Sequence, residues 1–112
     1  MQTIWLESGT ELTLTPVVDA LGQSVVWRAE EGVGGLPVTQ VAACITALEQ
    51  GLEAHFVDDQ DPLAVASVSL TAQTLGLVLE EASQTWRVTA ADRRRLAQTL
   101  RVVVQEEAER VE

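Results

Sequence analysis

The chain has 112 residues, 46% hydrophobic and 21% charged, which is the balance of one globular domain rather than of a disordered segment. Seventeen acids oppose seven bases, all of them arginine, for a formal charge of −10 at pH 7. A field of that sign repels phosphate backbones and anionic lipid surfaces, so it argues against direct nucleic-acid or membrane binding and favours a basic protein partner.

Cys44 is the one cysteine, so no disulfide can form within the chain and a reducing compartment is expected. No run of ~18 apolar residues could span a bilayer. The opening Met-Gln-Thr-Ile-Trp has neither the basic start nor the apolar core of a secretory leader. The expected location is the cytoplasm.

Residues 2–7 predict a first strand with Ile4 and Leu6 on one face and Trp5 on the other, closed by a turn at Ser8-Gly9-Thr10. Glu11 to Val18 is a second strand, in which Leu12 and Leu14 alternate with Thr13 and Thr15. Pro16 cannot donate to a ladder and so marks an end, a bulge or an edge. After a turn at Leu21-Gly22-Gln23, Ser24 to Ala29 is a third strand, with Val25 and Trp27 opposed to Val26 and Arg28. The linkers are too short for parallel crossovers, so the three form an antiparallel meander.

Glu30 to Pro37 breaks the pattern with three glycines. The Lys-Ser/Thr pair of a phosphate loop is missing after Gly35, and Gly32, Gly34 and Gly35 lack the dinucleotide-fingerprint spacing. The stretch reads as a flexible connector. Val38 to His55 predicts a helix with Thr39 as its N-cap and Val38, Val41, Ile45, Leu48 and Leu52 as its apolar stripe, with Gly51 weakening the last turn so that the helix ends near there or frays beyond it. Phe56 to Pro62 divides the chain. Its Asp58, Asp59 and Asp61 suggest a calcium loop, but Leu63 and Ser69 stand where the glycine and glutamate are needed, which leaves a solvated acidic turn.

Ala64 to Leu70 and Thr74 to Glu81 predict a hairpin around Thr71-Ala72-Gln73, followed by a short strand at Thr85 to Val88. The longest helix starts after Thr89, with Asp92 completing an approximate capping box. Its stripe is Leu96, Leu100, Val103 or Val104, Ala108 and Val111, and Glu106 and Arg110 are spaced as a surface pair. The expected fold is therefore α+β: a single antiparallel sheet of five or six short strands with two helices on one face, in the order βββα-βββα. Trp27-Arg28 and Trp86-Arg87, with Val38-Thr39 and Val88-Thr89, allow an internal duplication of halves 1–56 and 57–112. The connectors and helix stripes do not align between those halves.

No catalytic constellation is present. His55, the one histidine, has no nucleophile or paired carboxylate at a recognised spacing, Cys44 reads as core, and together they cannot build an ordinary zinc site. No cofactor or metal is expected. Arg93, Arg94 and Arg95, with Thr89 and Arg87 beside them, form the one basic cluster, at a helix start that favours anions. Trp5, Val26, Arg28 and Val78 are candidates for an exposed sheet face, which a homodimer would cover. The leading functional expectation is a small acidic non-enzymatic protein-interaction module, homodimeric and adaptor-, chaperone- or immunity-like. It resembles small acidic secretion chaperones and immunity proteins in fold class and charge alone, with no shared motif. The alternatives are a regulatory domain that binds an anionic small molecule at Arg93–Arg95, and a DNA mimic that inhibits a basic protein.

Overall fold

A computed structural model describes residues 1–19, 22–60 and 62–111, with 106–111 followed as backbone only. Leu21, Asp61 and the side chains of Glu106, Ala108, Arg110 and Val111, all used above, lie outside the described part. The class is α+β, but there are two four-stranded antiparallel sheets where one was expected. Sheet A is β1 (Gln2–Trp5), β2 (Glu11–Asp19), β3 (Gly22–Ala29) and β4 (Gly32–Pro37), each strand beside the next. A 3-10 turn at Val38–Gln40 leads into α1 (Val41–Gln50). Sheet B repeats the meander with β5 (Ala54–Asp58), β6 (Ala66–Leu70), β7 (Thr74–Leu79) and β8 (Ala82–Arg87), and α2 (Ala90–Val111) follows. The order is ββββα twice, and the second meander begins at Ala54.

The fourth strand of the first half is the stretch read as a flexible connector. Glycine carries no hydropathy, so β4 shows no alternation, yet it pairs with β3 from Ser24↔Pro37 to Ala29↔Gly32. In the second half Thr74↔Arg87 through Leu79↔Ala82 pair in the same way, fifty positions later (24 to 74, 37 to 87). Both hairpins close through two glutamates, Glu30-Glu31 and Glu80-Glu81, and the first of each pair is left-handed, with φ of 54° and 55°. Val38-Thr39 and Val88-Thr89 keep the same offset. The Trp-Arg pairs do not: Trp27 lies on β3 and Trp86 on β8, so their counterparts are Leu77 and Leu36.

Pro16 sits inside β2, opposite Val25 and past the last residue that β1 pairs, Leu14. Its missing N–H therefore falls on a free edge, where a ladder loses nothing. The first helix is shorter than its stripe suggested. Gly51 takes the left-handed conformation (φ 68°) and donates to Ala47 O, ending α1, and Ala54 onward returns as strand. His55 is therefore a strand residue, and Leu52 is exposed. Thr39 makes no capping hydrogen bond, because the 3-10 turn moves the start of α1 to Val41 with Gln40 before it.

One core joins both halves. Leu12, Leu14, Val25, Trp27 and Leu36 of sheet A and Val68, Leu75 and Leu77 of sheet B are each at most 1% exposed, together with Leu96, Leu100 and Val103 of α2. Burying each such side chain contributes about 1.5–3 kcal/mol. The helices pack on each other, and each also meets the first strand of the other half: α2 lies on β1 and β2, and α1 touches β5. Meanwhile β4 crosses all four strands of sheet B. A β-carbon at Gly32 would stand 2.3 Å from the Trp86 ring, and one at Gly34 would stand 2.6 Å from the Ser67 carbonyl oxygen. At Gly35 it would meet Ala66 and Asp58. The absence of side chains lets one sheet lie directly on the other.

Candidate functional site

The start of α2 is built around Asp92, which is fully buried. Its amide donates to Thr89 Oγ1 at 3.1 Å, while its carboxylate accepts the Thr89 amide at 3.0 Å, so the capping box is reciprocal. The same carboxylate accepts the Glu7 amide at 3.0 Å and pairs with Arg95, which fastens the β1–β2 turn to the helix. The carboxylate that this helix end favours is thus supplied by the chain itself.

The three adjacent arginines diverge. Arg93 is 2% exposed and donates to Leu48 O (3.2 Å), Ala47 O (2.7 Å), Leu52 O (2.9 Å) and Thr71 O. The carbonyls of Leu48 and Leu52 at the end of α1, and of Thr71 in the β6–β7 turn, thereby gain a donor, and Ala47 O gains one beyond the Gly51 and Leu52 amides it already accepts. Burial pulls the Arg93 guanidinium below its ordinary range, and the neighbouring Cys44 works against that shift. Arg94 is exposed, and Arg95 is held by Asp92. Arg87 and Thr89 line a shallow hollow with Glu7, Ser8 and Gln73, whereas Arg93 and Arg94 line a separate one with Leu48 and Ala90. The structure therefore does not bring Arg87, Thr89 and Arg93–Arg95 to one point.

Of the four sheet-face residues, three belong together. Register places Trp5, Thr13, Thr15, Val17, Val26, Arg28 and Val33 on the face of sheet A away from the core. Trp5 is 57% exposed there, Arg28 is exposed, and Val26 is half-buried. Val78 lies on the outer face of sheet B, in a row with Val57, Ser67 and Ser83. That second face carries the hydroxyls of Ser67, Ser69, Thr74, Ser83 and Thr85. His55 stands on it, its Nδ1 sharing a 2.6 Å hydrogen bond with Ser69 Oγ.

A cleft of about 240 Å³ opens where the two sheets meet. One wall is the outer face of sheet A, with Val17, Ser24, Val26, Arg28 and Val33, and the floor is Gly34-Gly35. The opposite wall is Asp58, Gln60, Ala64, Ala66 and Leu79. The sequence offered no signal for Asp58 or Gln60 beyond an acidic turn, because the opposing wall lies some thirty residues earlier. Within the core, burial pushes the Cys44 thiol up to about 12, with Arg93 opposing the shift, so no thiolate forms near neutrality. Among the described residues no group of three or more His, Cys, Asp and Glu side chains is placed to hold a metal ion.

Comparison with protein-family models, with curated proteins and with solved structures found no match to this chain.

Proposed function

We propose that the chain is a small acidic, non-enzymatic interaction module that recognises a basic protein segment on the outer face of sheet A. The observation that carries this reading is Trp5. It is a large aromatic ring, 57% exposed on an open sheet face, and its strand partner is Glu11. Exposed Glu30 and Glu31 close the β3–β4 hairpin at the same end of the sheet. An aromatic ring with carboxylates at its end of the sheet suits arginine and lysine side chains, which stack on the ring and pair with the acids. A second copy of this chain carries the same charge of −10, so a basic partner fits this acidic end of the face better than a homodimer does. An anion-binding role for Arg93–Arg95 has less support, because Arg93 is spent on backbone carbonyls.

The test is calorimetric titration of the whole chain with an arginine-rich peptide of strand-forming composition, at two ionic strengths. Saturable binding that weakens with salt is expected. Trp5→Ala should reduce affinity about tenfold, the scale of a moderate interface anchor, and Glu11→Gln with Glu30→Gln should reduce the salt dependence. Binding indifferent to Trp5→Ala would remove this face as the contact surface. Light scattering on the free chain gives its oligomeric state independently.

A further inference from the structure

The cleft between the sheets has the composition of a small-molecule site, and we propose that it binds an aliphatic α-amino acid or a molecule of the same zwitterionic chemistry. Size sets the first limit. At about 240 Å³ the cleft falls below the ~300–1,000 Å³ of sites for drug-sized ligands, so its occupant is on the scale of one amino acid.

Charge sets the second. Arg28 and Asp58 stand on opposite walls, and among the described residues neither takes part in an ion pair. In a chain with ten more negative than positive charges, an unpaired guanidinium facing an unpaired carboxylate across an apolar gap leaves room for a bridging ligand. A carboxylate answers Arg28, with the fork geometry that guanidinium favours, and an ammonium answers Asp58.

The hydrogen bonds around the acid are consistent with this. The Gln60 amide donates to Asp58 Oδ1 at 3.3 Å, holding the carboxylate in place while leaving Oδ2 without that donor. The Ser24 hydroxyl donates to Gln60 Oε1 at 3.2 Å, which holds the Gln60 side chain against Gly22 and Ser24 and so ties the Asp58 wall to sheet A. Between these polar ends the lining is Val17, Val26, Val33, Ala64 and Leu79, all half-buried and able to cover an aliphatic side chain. The floor depends on the absence of side chains, since a β-carbon at Gly35 would lie 2.9 Å from Ala66 Cβ and 3.2 Å from Asp58 Oδ2.

This inference does not rest on the partner-binding reading, and its test keeps the two apart. The whole chain is titrated with leucine, isoleucine and valine, followed by calorimetry and by amide chemical shifts. N-acetyl-leucine, which lacks the ammonium, and leucinamide, which lacks the carboxylate, are the comparison probes. Expected is saturable millimolar or tighter binding of at least one aliphatic amino acid, with shift changes centred on the cleft. Both capped probes should bind about tenfold more weakly, as should the free amino acid to Arg28→Gln and to Asp58→Asn. Ala64→Phe, which fills the cleft from a loop position, should abolish binding, and Trp5→Ala should leave it unchanged. Thermal melts confirm that each variant is folded. The proposal is overturned if no aliphatic amino acid binds saturably at tens of millimolar. It is equally overturned if capped and free probes bind alike, or if folded Arg28→Gln and Asp58→Asn bind as the parent does.

Discussion

β4 and β8 are the last strands of matching hairpins, paired in the same register and entered through the same left-handed glutamate, and yet their surroundings are opposite. From Gly32 to Pro37 every residue of β4 except Val33 is buried, and the strand lies across the other sheet. No residue of β8 is fully buried, and it ends sheet B as an edge. Pairing register therefore does not decide which strand enters the interface between sheets. Side-chain volume does, because β4 carries Gly32, Gly34 and Gly35 where β8 carries Ala82, Gln84 and Thr85.

The sharpest way to break this contrast is to give β4 the bulk that β8 tolerates. Gly34→Val forces side-chain atoms onto the Ser67 carbonyl and Leu77, and a loss of about 3 kcal/mol or more is expected in urea denaturation. Gln84→Val, which sets the same residue at the matching position, should stay within about 1 kcal/mol of the parent. Equal losses at the two sites would mean that close approach of the sheets is not what the glycines serve. Next in size is Arg93→Ala, which removes the side-chain donor to Leu48, Leu52 and Thr71 and one of several donors to Ala47. A loss of about 2–4 kcal/mol is expected, against less than about 0.5 kcal/mol for exposed Arg94→Ala. The smallest effect concerns what the hairpins share. Non-glycine residues at positive φ carry strain, so Glu30→Gly and Glu80→Gly should each raise stability by about 0.5–1 kcal/mol, and by similar amounts. A gain at one turn with a loss at the other would show that the two turns are not equivalent.

The parts of the fold legible in the sequence are those in which local chemistry and burial agree. Leu12 and Leu14 alternate with threonines and face the core, and Thr89 with Asp92 forms the cap that their spacing implies. The parts that were not legible depend on distant partners. The glycines of β4 make sense only against Trp86, Leu77 and Ala66. The end of α1 near Gly51 was one of two readings, because Leu52 continues the helical spacing beyond it, and the left-handed turn at Gly51 decides between them. Arg93 reads as one of three basic neighbours, and nothing local distinguishes the arginine that turns inward from the two that do not. Of the sheet-face candidates, Trp5, Val26 and Arg28 do share a surface, and Val78 is separated from them because the strands divide into two sheets. Asp58 was visible only as one acid among several, since its place in the cleft is created by β4.

The cage that Arg93 completes also orders events during synthesis. The carbonyls of Leu48 and Leu52 leave the ribosome more than forty residues before the guanidinium that donates to them. Over that interval the end of α1 must be served by water, and the first meander waits with its glycine strand uncovered. The earlier half of this chain is thus finished by the later one, and a nascent chain halted between the two meanders is a half-built interface rather than a free-standing domain.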